Sequence, residues 1–382
     1  MASHALLSAS GSDRWLKCTR SVRAEEGIAD KTSPYAEEGS LAHEIGELMI
    51  NKYIGAITTQ KYNGQIRKLK KHELYNEEML EYCQSYADFC IMRLNDAAKT
   101  CPDSMVAVEQ RLDFSRWVPE GFGTGDCTIV ADGTLEIIDL KYGKGIKVEA
   151  ENNSQMMLYA LGAFNEFGYL YDIQDVRMTI VQPRLDSISS WVISTEELSK
   201  WTREYLVPRA KLAYAGEGEF CAGSHCQWCK IKATCRARAE ANLELAKKEF
   251  APAPTLSDEE IADILKVADE LSKWAKDIWE HAFEEAKENG KVWPGFKLVR
   301  GRSNRVFTDT EKVADMLKSK GFEDIYTSKL KGIGALEKLV GKKDFGEILG
   351  DLVVKPEGKP VLVEVTDKRQ AIDTSEFEKV EG

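Results

Sequence analysis

The 382-residue chain is 43% hydrophobic and 30% charged, with a formal net charge of −11. That is enough apolar material for a sizeable core, and it is the wrong sign for a protein that coats nucleic acid through general basicity, because phosphate affinity comes from neutralising cations. No apolar run is long enough for a membrane span, and "MASHALLSASGSDRWLKC" lacks the basic start and long apolar core of a secretory signal, so a cytoplasmic protein with no membrane partner is expected.

In chain order, residues 38–54 carry the apolar spacing of an amphipathic helix, which places His43 and Glu47 on neighbouring positions of one face. A second helix is expected over 76–98. Three strands follow, "MVAVEQRLDF", "GDCTIVA" and "TLEIIDLK", the last two joined by the tight-turn pair Asp132-Gly133. A helix over 152–167, the strands "DVRMTIVQ" and "ISSWVIS", and a helix over 196–214 complete an α/β core with a mixed central sheet flanked by helices. The cysteine-rich stretch "SHCQWCKIKATC" comes next. The expected domains are 1–250, a linker "APAPT" at 251–255, a mainly helical accessory region over 256–355 that opens with a long helix over 257–289, and a flexible polar tail over 356–382. Two basic runs, "IRKLKKHEL" and "FKLVRGRSNRVF", stand out against the acidic whole and are first of all solvated faces.

In "TLEIIDLK" the apolar residues fall on both faces, as in a covered central strand, with Asp139 and Lys141 at its end. Such charges are costly there unless paired with each other or with a metal. The Asp132-Gly133 turn brings Asp126 beside Asp139. Two carboxylates so placed repel unless a cation lies between them, and oxygen ligands favour Mg2+ or Mn2+. His43 is a candidate third ligand. Gln155 and Tyr159 share a helical face suited to a phosphate or base, although such a pair is more often core edge and surface.

The ordered set "GSLAHEIGE", "GTGDCTIV", "IIDLKYGKG" and "QMMLY" resembles the PD-(D/E)XK (restriction-endonuclease-like) nuclease superfamily, in its RecB/AddB-like branch with an iron-sulfur cluster. The whole chain, with "GIGALEKLVGKKDF" and "KPVLVEVTDKR", also looks like a phage and prophage family long labelled as of unknown function. The resemblance implies a Mg2+- or Mn2+-dependent deoxyribonuclease, most often an exonuclease, acting in recombination or DNA processing beside a single-strand annealing or recombination protein. It implies that His43, Asp126, Asp139 and the Leu140 backbone carbonyl hold the metal, that Lys141 orients the attacking water, that Gln155 and Tyr159 position the strand or the water, and that Glu47 orients His43. Arg184 is a possible DNA contact. A catalytically silent DNA-binding or assembly factor on the same scaffold is the alternative.

Nine cysteines in a reducing compartment are buried hydrophobes or ligands before they are disulfides, and Cys83, Cys90, Cys101 and Cys127 sit singly among apolar residues as packing. Cys226, Cys229 and Cys235 are spaced as ligands but do not close a four-ligand site. The resemblance implies that Cys18 is the fourth, in a 4Fe-4S cluster. Cys221 offers a local alternative for cluster or Zn2+, and His225 a nitrogen. Trp15 and Trp228 are placed to shield the site or to serve as core.

Overall fold

The computed structural model describes residues 5–29, 34–249, 258–301, 303, 305–322, 324–326, 332–354, 356, 360–364 and 370–372. The chain divides into two compact units, Met1–Leu271 and Ser272–Gly382. The expected linker at 251–255 lies outside the described residues. Among the described residues no helix is long and apolar enough to cross a membrane.

The first unit opens with two short helices, α1 (Ser12–Lys17) and α2 (Ser21–Ala24), then α3 (Pro34–Tyr53), α4 (Thr59–Leu69) and α5 (Glu77–Thr100). Strands β1 (Met105–Asp113), β2 (Phe122–Ala131) and β3 (Gly133–Leu140) follow, then α6 (Ser154–Phe167), β4 (Ile173–Gln182) and β5 (Ser187–Ser194). The helix expected over 196–214 is realised as α7 (Thr195–Trp201) and α8 (Val207–Ala215), with a wider π turn between them. Pro208 opens α8 and has no N–H to continue an α-helical ladder, which accounts for the irregular turn just before it. After the cysteine-rich loop come α9 (Arg236–Glu249) and α10 (Asp258–Glu288), and the division between units falls inside α10.

The five strands lie in the order β1-β2-β3-β4-β5, antiparallel throughout except for the β3–β4 pair, which α6 joins as a parallel crossover. The architecture is mixed α/β, a mostly antiparallel sheet flanked by helices. Central β3 distributes its side chains as its sequence requires: Leu135 and Ile137 enter the core built on α6, and Ile138 and Leu140 the core built on α3 and α5. Gly123 and Gly125 of β2 are demanded by packing. A Cβ at Gly123 would stand 2.7 Å from the Tyr159 ring, and one at Gly125 2.7 Å from Leu112. Cys83, Cys90, Cys101 and Cys127 are buried as packing.

In the second unit β6 (Phe296–Arg300), β7 (Val306–Phe307), α11 (Thr310–Ser319), α12 (Ile333–Val340), α13 (Lys342–Leu349), β8 (Val353–Val354) and β9 (Pro360–Glu364) follow in order. Val313, Leu317, Leu336, Phe345 and Leu349 form its core. The segment from 356, expected as a flexible tail, contributes β9, which pairs antiparallel with β6 and so consumes backbone groups the polar composition had suggested were solvated. Within "FKLVRGRSNRVF", Arg302 and Asn304 lie outside the described residues, and Arg305 is ion-paired with Glu337.

Candidate active site and cysteine pocket

The two-residue turn at Asp132-Gly133, with Gly133 in the left-handed region at φ +86°, sets Ala131 opposite Thr134 and carries the pairing on to Cys127 opposite Ile138. One step further Asp126 and Asp139 face each other, and there the ladder stops. The Asp126 carboxylate instead accepts a hydrogen bond from the Leu140 N–H at 2.7 Å. On the other side of β2 the pairs Val108–Cys127 and Gln110–Gly125 leave Glu109 opposite Asp126, again with no ladder pairing. Three carboxylates, Glu109, Asp126 and Asp139, thus form one row across β1, β2 and β3.

From α3, His43 reaches this row: its Nδ1 is 3.3 Å from Asp126 and 3.9 Å from Glu109. His43, Glu109 and Asp126 place three ligand atoms within 4.8 Å of one another, close enough for one metal ion. Burial disfavours a charged His43, yet hydrogen bonds to Asp126 and Glu109 and the charges of Asp126 and Asp139 prevail and push its pKa up to about 10. The carboxylates around His43 thus favour a positive charge at this position.

Asp139 lies beside that trio in a second network. It is buried, with Lys141 Nζ 2.9 Å from Oδ2, and Gln155 Nε2 donates to Oδ1 at 3.4 Å. The cation beside this buried carboxylate is the Lys141 ammonium. Burial raises the Asp139 pKa and Asp126 adds to the rise, while Lys141 opposes it. Lys141 Nζ also donates to Gln155 Oε1 at 3.0 Å, and Gln155 Nε2 to the Tyr159 hydroxyl at 3.0 Å. The Gln155 and Tyr159 positions, one turn apart on α6, thus face the Asp139–Lys141 pair. Burial raises the Tyr159 pKa, so the phenol stays neutral.

The remaining expected site residues are placed differently. Glu47 accepts a hydrogen bond from Asn51 at 3.2 Å, and burial with the nearby charge of Glu109 raises its pKa; the partners of His43 are Asp126 and Glu109. Arg184 is ion-paired with Glu38 at 3.0 Å and stacks 4.7 Å over the Tyr142 ring, so its guanidinium is engaged inside the protein. Leu140 is fully buried at the end of β3, its N–H committed to Asp126. Glu109 was not singled out from the sequence, where it is one polar residue in an alternating strand. A signal was available only in its φ of +49°, a conformation rare for a residue with a side chain.

At the edge of the same unit Cys18, Cys221, Cys226, Cys229 and Cys235 line one small pocket with Arg14, His225 and Arg238. Cys18, Cys226 and Cys229 are buried and Cys235 is half-buried, whereas Cys221 is exposed. Cys221 contributes its backbone: its N–H donates to Cys18 Sγ at 3.3 Å, and its carbonyl lies 2.8 Å from His225 Nε2. Gly223 N–H donates to Cys226 Sγ at 3.4 Å. Burial raises the Cys226 thiol pKa and burial raises that of Cys229 to about 12, opposed by Arg238 at the first and Arg14 at the second. The pair between half-buried Arg14 and buried Glu25 at 2.7 Å, with Glu25 accepting from Lys230 N–H at 2.7 Å, ties this loop to the amino-terminal helices. Trp15 is core, one of the two places expected for it, with its indole donating to Ser8 O; Trp228 is 70% exposed and neither shields the pocket nor joins the core.

The chain belongs to the family described as a protein of unknown function (DUF2800), whose profile it matches over residues 4–370. A solved structure titled "Crystal structure of SSO0001" is similar at 12% identity and a TM-score of 0.21, over 59% of this chain and 96% of that one. A likeness of that size does not bear on fold or function.

Proposed function

We propose that the chain is a metal-dependent deoxyribonuclease with a PD-(D/E)XK core, and that its cysteine pocket holds a 4Fe-4S cluster. The observation that supports the catalytic reading is the carboxylate row Glu109, Asp126 and Asp139 beside Lys141, with His43 reaching it from α3 and Gln155 from α6. The order of elements, a helix, an antiparallel three-strand meander, a crossover helix and a parallel strand, is the arrangement the sequence motifs imply.

His43, Asp126, Asp139 and the Leu140 carbonyl, now with Glu109, would hold Mg2+ or Mn2+. Bound there, the ion supplies Lewis acidity toward a phosphate oxygen and lowers the pKa of water. Lys141 is kept cationic by Asp139 despite its burial, and its ammonium neutralises charge developing on the phosphate and orients the attacking water. Gln155 fixes Lys141 and Asp139 at once, and Tyr159 fixes Gln155. The exonuclease mode, and a role in phage or prophage recombination beside an annealing protein, rest on the family resemblance.

For the cysteines, Cys18 is buried where Cys221 is exposed, which favours Cys18 as the fourth ligand. Two arginines and two backbone N–H groups offset the thiolate charge.

The test is degradation of end-labelled linear DNA, labelled at either end, with Mg2+ or Mn2+. Lys141→Ala and Asp139→Ala are expected to lose at least about 100-fold in rate. Equal degradation by wild type and both variants overturns the catalytic reading and leaves the silent scaffold.

A further inference from the structure

The basic run that begins in α4 is not used by the site described above. Residues 59–72 hold five lysines and arginines and no acidic residue, in a chain with 63 acids against 52 bases. Tyr62, Ile66 and Leu69 pack toward the α3–α5 core and so fix which face of α4 is outward. On the outward side Lys61, Gly64 and Lys68 follow at helical spacing, Arg67 flanks them, and Lys71 follows in the turn just after the helix. All five positions are exposed.

Three features separate this stripe from an ordinary solvated face. Lys70 is engaged by Glu77 and Tyr75, but among the described residues no carboxylate lies within ion-pairing reach of Lys61, Arg67, Lys68 or Lys71. Arg67 and Lys68 complement the negative end of the helix dipole; Lys61 does not, because it stands in the first turn, where no acidic residue offsets it. Gly64 stands in the middle of the stripe, within the continuous helix, although a Cβ there would meet nothing within 4 Å and its backbone is ordinary. Packing does not ask for this glycine. Its effect is to let another molecule approach the helix backbone between Lys61 and Lys68, about 10 Å apart along the axis.

We infer that the outward face of α4 is a docking surface for the sugar-phosphate backbone of the DNA substrate. The inference rests on the nuclease reading, since α4 packs against α3, the helix that carries His43. Charge complementarity selects the partner: a row of unpaired cations on an otherwise acidic protein fits a polyanion, and two copies meeting through this row in a two-fold contact would repel. It also reconciles the net charge with a DNA substrate, because the affinity is local.

The experiment is fluorescence anisotropy of a short labelled DNA duplex titrated with the full chain in Ca2+, across a range of salt. Replacing Lys61, Lys68 and Lys71 together by Gln should weaken binding on the order of 100-fold at low salt and make the slope of log affinity against log salt shallower by about 2 to 3. Gly64→Leu should also weaken binding while far-ultraviolet circular dichroism shows helix undiminished, a result that a merely structural role for α4 does not give. Wild-type affinity and slope in both variants overturn the inference, and so does binding that α4 mediates to anionic lipid vesicles but not to DNA. If Lys141→Ala abolishes cleavage while the α4 variants bind as wild type, only the docking surface falls. If cleavage ignores Lys141 but the α4 variants lose DNA, only the nuclease reading falls.

Discussion

At φ +49° in the middle of a strand, Glu109 holds a backbone conformation that costs an L-residue about 1 to 2 kcal/mol, and it faces Asp126, a like charge across the ladder. Both costs are tolerable where a cation is bound between the carboxylates. Glu109→Ala and Glu109→Gly are therefore expected to lower Mn2+ affinity at least about 10-fold by calorimetric titration. Gly also relieves the backbone, so in urea Glu109→Gly should be more stable than Glu109→Ala by about 1 kcal/mol. Unchanged Mn2+ affinity would remove Glu109 from the site. Its absence from any sequence-based list has a physical cause. The tight turn at Gly133 fixes the β2–β3 register, so the opposition of Asp126 and Asp139 is legible in the sequence. The long connection over 114–121 fixes no register between β1 and β2, and Glu109 could be placed only by the folded sheet.

Among the elements, α7 shows how local chemistry sets a boundary. Ser194 accepts from Glu197 N–H at 3.1 Å, and the Glu197 carboxylate accepts from Ser194 N–H at 2.8 Å, a reciprocal capping box. The backbone hydrogen bond from Ser194, with that from its hydroxyl, lowers the Glu197 pKa. A carboxyl whose folded pKa is depressed contributes stability that is present above its unfolded pKa and is lost as pH falls through the folded value. Ser194→Ala is expected to cost about 1 kcal/mol in denaturant unfolding at neutral pH. The same substitution removes the hydroxyl bond but keeps the backbone one, so the Glu197 titration, followed by NMR, should move up only part of the way; a titration unmoved by it would show that the hydroxyl bond is not formed in solution. The Ser-x-x-Glu signature is readable from sequence. The π turn that follows α7 is less so, because Pro208 announces an interruption but not its form.

Across the whole first unit the cysteine pocket joins the amino-terminal helices to a loop about 200 residues later, and the proposed cluster, held there, would remove the freedom of a very long loop from the unfolded chain. By the chain-entropy argument the effect is on the order of 5 kcal/mol. Anaerobically purified protein should show broad visible absorption with iron and sulfide. Cys18→Ser should lose that absorption and unfold at a distinctly lower temperature, and Cys221→Ser should keep both. Colourless protein with stoichiometric zinc, indifferent to Cys18→Ser, would reverse the assignment.

Hydrophobic periodicity and turn chemistry are local, and from them the sequence alone determined the succession of α3, α5, α6 and the five strands, the central place of β3, the Asp126–Asp139 opposition and the spacing of the cysteine trio. Tertiary structure decided what depends on distant segments meeting: that Glu109 completes the carboxylate row, that Arg184 is spent on Glu38, that Cys18 is buried beside the cysteine-rich loop while Cys221 is exposed, and that residues 360–364 pair with β6. Strand register across a long loop and the burial of a single side chain are properties of the assembled sheet and core, and no window of sequence contains them.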